Sequence, residues 1–224
     1  MPCLLYLPLE LLWQIADHLH PADLVSLMSA NNYLYTALTS ILHKQATQES
    51  SQVCPMHWAA MKGHAALVSL LVVLGHDPNI QCPSQNSALH YATSRSHKNT
   101  IITLVANGAD IEACDSNGET PLHRAAVDGN VVSVRTLIEC GADIHARTLI
   151  QDTPLHCAAS SSGRWGACKR DRIQVVRLLL DAGADVLAEG YMGRRASYDT
   201  FGETQRILEE AERNAEGSVK KVAH

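Results

Sequence analysis

Apolar residues recur along this chain at two spacings, one short and helical, the other long. Near the start, Leu11, Leu12, Ile15, Ala16 and Leu19 form a stripe at i, i+1, i+4, i+5 and i+8, the spacing that puts side chains on one face of a helix. Pro8 precedes the stripe at a first-turn position, where the missing proline N–H costs nothing. Leu24, Leu27 and Met28 make a second short stripe after "HPAD", and Leu34, Leu38, Ile41 and Leu42 a third. Three short helices bury too little surface to fold with much margin alone, so the leucine-rich opening predicts docking on another surface.

The long spacing is an internal repeat. "PMHWAA", "ALHYAT", "PLHRAA" and "PLHCAA" place His57, His90, His123 and His156 at steps of 33 residues. A second phrase keeps the beat: "GHD" begins at Gly75 and "GAD" at Gly108, Gly141 and Gly183, with steps of 33, 33 and 42, so the last step holds nine extra residues. Within one period, Thr120 is placed to cap a helix opened by Pro121, and small Ala125 and Ala126 allow a second helix to pack closely. Val131, Val134, Leu137 and Ile138 recur at helical spacing on that second helix, and Gly141 follows where a left-handed residue ends it. Ala142, Asp143 and Ile144 then lead into an extended hairpin. One such repeat cannot bury its apolar faces alone, so neighbours must stack and the end repeats need a polar face or a separate cap.

The final repeat is degenerate. Counting from Gly193 as from Gly118 to His123 puts Tyr198 in the histidine slot and Ser197 at the position of Leu122, a core site of the first helix. Its second helix, "ETQRILEEAERNA", turns Ile207, Leu208 and Ala211 inward and allows Arg206/Glu210 and Glu209/Arg213 to pair outside. "EGSVKKVAH" lacks periodicity and reads as a tail. The expected organisation is a helical segment over 1–46, a repeat array over 52–216 and a tail over 217–224.

The array resembles the ankyrin repeat, of which "GETPLHRAAVDGNVVSVRTLIECGADIHA" is a nearly complete example. That resemblance implies an all-α solenoid of helix pairs and hairpin loops, with four full repeats and a capping fifth. It also implies a partner-binding face on the hairpin tips and the ends of the first helices. Carried over by position, these residues are Met61 and Lys62; Pro83, Ser84, Asn86, Ser94 and Arg95; Ser116, Asn117, Glu119, Val127 and Asp128; and Leu149, Ile150, Asp152, Ser160 and Ser161. Leu149 and Ile150 form an apolar pair on an expected tip, to be covered by a partner or packed on the neighbouring tip. Gln151 stands where the third repeat has Gly118. The nine-residue insertion falls in "SSSGRWGACKRDR", where Trp165, Lys169, Arg170 and Arg172 suit an acidic partner segment or form a tolerated surface loop.

The opening helices have their own resemblance. "LPLELLWQIADHLHPADLVSL" looks like an F-box, with Leu7-Pro8, Glu10-Leu11-Leu12, Ile15, Leu19, Pro21 and Asp23-Leu24 at that motif's spacing. It departs later, where Asn31-Asn32-Tyr33-Leu34 replaces the tryptophan-containing endings of many F-boxes. The resemblance implies docking on the Skp adaptor of a cullin-RING ubiquitin ligase through Leu7, Pro8, Leu11, Leu12, Ile15 and Leu24, each worth roughly 1.5–3 kcal/mol if buried. The array would then hold a protein substrate. The alternative is an ankyrin scaffold whose first helices only cap the solenoid near Trp58 and Met61.

Composition narrows the function classes. A formal charge of -5 lacks the basic excess of a nucleic-acid binder. No apolar run is long enough for a membrane span, and no basic region precedes the first leucines. The seven cysteines are odd in number and never spaced as C-x-x-C, which points to a reducing cytoplasm or nucleus rather than a disulfide framework or zinc knuckle. Four periodic histidines fall in successive layers, so a hydrogen bond common to the repeats explains them better than a metal. No nucleotide, hydrolase or metalloprotease motif is present, which argues against an enzyme and gives no reason for a cofactor. "RRAS" at 194–197 resembles a basophilic kinase target, but the core position expected for Ser197 argues against its use.

Overall fold

The computed structural model describes residues 54–73, 75–160, 169–198 and 200–222. Leu7, Pro8, Leu11, Leu12, Ile15 and Leu24 of the F-box-like segment lie outside the described residues, as do Ser161 and Trp165. The chain divides into two compact parts, one ending at Asp110 and one starting at Ile111.

The first part holds two helix pairs, α1 (Pro55–Lys62) with α2 (Ala65–Val73) and α3 (Ala88–Ser94) with α4 (Lys98–Ala106). Helix α1 packs on α3 and α2 on α4, so like elements of successive repeats lie side by side. Met56, Leu71, Leu89, Ile101 and Leu104 are fully buried there, and Ala59, Ala60, Ala88 and Ala92 supply the small side chains that let the helices approach. Leu–Ile packing of this kind contributes about 1.5–3 kcal/mol per residue.

The second part repeats the plan with α5 (Pro121–Val127), α6 (Val131–Glu139), α7 (Pro154–Ala159) and α8 (Lys169–Asp181), and adds α9 (Glu203–Val222). Here α5 packs on α7, α6 on α8, and α9 on α8. Leu122, Val134, Leu137, Leu155, Val175, Val176, Leu179 and Leu208 form its core.

Local signals act as their spacing predicts. Gly75, Gly108, Gly141 and Gly183 have φ of 86°, 86°, 90° and 96°, the left-handed conformation that ends a helix without a Cβ penalty. The recurring aspartate has a local task as well. Asp77, Asp143 and Asp185 each accept the amide two residues on, at 2.8 to 2.9 Å, an Asx turn that starts the hairpin. The hairpins are turns rather than strands: the described residues contain an isolated bridge between Gln81 and Ser87 and no strand.

The last repeat differs from expectation in four ways. Its first helix is not found among the described residues: Tyr191–Gly193 makes a single 3-10 turn, and residues 194–198 and 200–202 are non-helical. Tyr198, expected in the histidine slot, is 66% exposed with the Arg194 guanidinium 4.4 Å above its ring. Without the Thr-Pro start, the segment lacks a cap and pre-set φ to nucleate another helix. Helix α9 also continues to Val222, so residues 217–222, read as tail, extend a helix. Its outer pairs are rearranged too: Glu209 accepts from Gln205 at 2.8 Å, and Arg213 donates to the Glu209 carbonyl at 3.1 Å.

Among the described residues, no helix is long and apolar enough to cross a membrane.

Candidate interaction site

The histidines position the hairpin tips. In the third repeat the Thr120 amide and hydroxyl lie 3.2 and 2.9 Å from His123 Nδ1, while Nε2 lies 3.1 Å from the Asp152 carbonyl of the next hairpin. A carbonyl only accepts, so Nε2 carries the proton and Nδ1 accepts. His156 repeats the arrangement, with Thr153 at Nδ1 and the Arg194 carbonyl 3.1 Å from Nε2. Ser87 caps His90 at Nδ1 in the same way. His57 donates from Nε2 to the Ile80 carbonyl at 2.8 Å, but its capping position is Cys54, which makes no side-chain cap. Burial holds His57 and His123 below the ordinary imidazole range, against the opposing pull of their backbone partners. These rings act as struts: Nδ1 meets the capping residue at His90, His123 and His156, and Nε2 meets a backbone carbonyl at His57, His123 and His156. Among the described residues, no cluster of three or more histidine, cysteine or acidic groups is placed to hold a metal.

The struts place the third and fourth tips side by side. Asp115 accepts the amides of Asn117 and Glu119 at 2.8 and 3.0 Å, which closes the third tip. The Leu149 amide donates to the Asn117 carbonyl at 3.2 Å and joins the fourth tip to it. A groove of about 280 Å³ opens there, lined by Ser116, Asn117, Glu119, Thr148, Leu149, Ile150, Asp152 and Cys157. Six of these were sequence candidates, drawn together by this stacking.

The apolar pair is joined to the neighbouring tip and still exposed. The Leu149 backbone is bonded to the neighbouring tip, while the Leu149 and Ile150 side chains are 74% and 53% exposed. The next tip repeats the pattern: by the same register Tyr191 and Met192 correspond to Leu149 and Ile150, and they too are exposed. A smaller recess of about 130 Å³ lies there, lined by Ile150, Asp152, His156, Ser160, Tyr191, Arg194, Arg195 and Ala196. Tyr191 and Met192 were absent from the expected surface, although counting 42 residues on from Leu149 and Ile150 identifies them.

Several charged candidates are committed within the fold. Arg124 lies 3.5 Å from Glu119 and 4.0 Å from both Asp115 and Asp128, so the acidic groups of the third repeat share one cation. Asp152, read as a binding residue, accepts the Tyr191 amide at 2.8 Å and serves to lock two tips together. Val127 and Asp128 are half-buried at the end of α5 and do not line the groove. Cys157 also lines the groove, and burial, with Glu119 and Asp152 nearby, pushes its thiol far above the usual range.

Candidates in the first part form their own set. Pro83 and Ser84 are exposed on a tip, Asn86 is half-buried, and Ser94 and Arg95 are exposed at the end of α3. Lys62 is exposed in the last turn of α1. The Met61 carbonyl accepts from His97 Nε2 at 3.1 Å, so this half-buried residue also has a structural task.

The chain matches the family described as ankyrin repeats (3 copies), over residues 26–115, 56–148 and 112–190. It belongs to the ankyrin-repeat family, a class of protein–protein interaction module. No F-box family match accompanies this one, and a search of curated proteins gave no match.

Proposed function

We propose that this chain is a non-catalytic, substrate-recruiting subunit of an SCF-type cullin-RING ubiquitin ligase, acting in the cytoplasm or nucleus without a cofactor. The segment over 1–46 binds the Skp adaptor, and through it a cullin, by Leu7, Pro8, Leu11, Leu12, Ile15 and Leu24. The repeats over 52–216 hold the protein substrate. The observation that carries the reading is one chain joining F-box spacing to repeats whose neighbouring tips expose Leu149 and Ile150 beside a groove. An apolar pair so exposed gains free energy when a partner covers it.

The test is co-purification of Skp adaptor with the wild-type chain and with a Leu11→Glu, Leu12→Glu variant, both checked for folding by size exclusion. Loss of binding confined to the variant supports the reading; no binding by folded wild type sinks it. A second reading, an ankyrin scaffold whose first helices cap the array, has its own support: the family match begins at residue 26, inside the F-box-like segment. It predicts that deleting residues 1–45 sharply lowers the unfolding midpoint, because an uncapped end repeat exposes its apolar face.

A further inference from the structure

The turn segment between the 3-10 turn and α9 carries "RRAS", and its structure removes the reason for discounting that motif. Ser197 does not occupy a core helix. It is half-buried in a non-helical stretch, beside exposed Tyr198 and Phe201 and between Gly193 and Gly202, whose φ values are 68° and 71°. Its hydroxyl donates to Glu212 Oε1 of α9 at 2.6 Å. Arg195 reaches the other oxygen of that carboxylate at 3.5 Å and Glu216 at 2.8 Å. One serine and one arginine therefore fasten this segment to α9, through the same carboxylate.

We propose that Ser197 is a phosphorylation site for an arginine-directed serine/threonine kinase, and that the phosphate releases α9 from this segment. Arg194 and Arg195 stand three and two residues ahead of the serine, where a kinase of this class places its acidic pockets. The Ser197 Oγ–P bond forms as the bond between the ATP γ-phosphorus and the ADP oxygen breaks. The hydroxyl proton passes to the kinase's catalytic carboxylate. The product has lost the O–H donor that Glu212 accepts, and it sets about -2 of charge against that carboxylate, an arrangement that disrupts by like-charge repulsion. Arg195 then exchanges Glu212 and Glu216 for phosphate oxygens, its stronger partner. Both ties to α9 are lost together.

The experiment treats the full chain with such a kinase and Mg-ATP, maps the phosphate by mass spectrometry, and follows amide hydrogen exchange before and after. The expected result is one phosphate on Ser197 and none there in Ser197→Ala, whose helical signal is retained. Amides of residues 205–217 then exchange about tenfold faster, while those of α5 and α6 are unchanged. An unmodified Ser197 in the folded chain, under conditions in which a peptide of residues 191–203 is phosphorylated, overturns the site. Phosphorylation with unchanged exchange in α9 overturns the release.

Discussion

The Leu149 amide donates to the Asn117 carbonyl at 3.2 Å across Gly118, and a Cβ on that glycine would come within 2.8 Å of the Leu149 nitrogen. The glycine is required twice, for its φ of 72° and for its lack of a side chain. Gly141, with φ of 90°, has open space where its Cβ would stand. Gly141→Ala should therefore cost about 1 kcal/mol of backbone strain alone. Gly118→Ala should cost about 2–3 kcal/mol, since the fourth tip must also move. Urea unfolding midpoints of the two variants measure the difference.

The exposed tip side chains should matter for partners and not for folding. Leu149→Asp with Ile150→Asp is expected to shift stability by no more than about 0.5 kcal/mol, as substitutions at exposed sites do. Binding of a substrate captured on the array should fall at least tenfold. Calorimetry with that substrate, beside a thermal melt, checks both halves.

Capping chemistry makes a paired prediction. Thr120→Ala removes an N-cap oxygen and the hydroxyl partner of His123, and should cost about 1–2 kcal/mol. Cys54→Thr should add about 0.5–1 kcal/mol by giving α1 the cap that α5 and α7 share. Thermal denaturation of each variant reads the sign directly.

His123 links stability to pH. Its folded pKa lies below the ordinary 6.5, chiefly through burial, so below 6.5 the unfolded chain binds a proton that the folded chain does not. Its contribution is complete above 6.5 and is lost as pH falls from there toward the folded value. The urea midpoint should therefore drop as pH falls below about 6.5, and drop less in His123→Gln. An equal drop in both proteins would refute this assignment.

The cysteines should differ in reactivity. Burial pushes the Cys82 thiol up, but hydrogen bonds from the Tyr91 hydroxyl and the turn at Ser84 and Asn86 outweigh it and hold the thiol below its ordinary value. Cys157 is pushed the other way. Since the thiolate is the nucleophile, iodoacetamide at neutral pH should label Cys82 well before Cys157, as peptide mapping over time would show.

What the sequence by itself determined is whatever closes within a few residues. The Thr120–His123 cap, the left-handed glycines at 75, 108, 141 and 183, and the aspartates that accept an amide two residues on are local bonds, so their spacing is visible in the chain. Repetition at 33 residues then identified the helix pairs and the stacked core. Only the tertiary structure decided where tips meet, because those bonds span long separations. Asn117 meets Leu149, Asp152 meets Tyr191, and Ser197 meets Glu212. Such contacts depend on how one repeat lies on the next. The same dependence gave Asp152, an expected binding group, a second task as the acceptor of the Tyr191 amide. It also left Leu149, Ile150, Tyr191 and Met192 facing solvent, since a side chain at a tip is buried only if a neighbour reaches it.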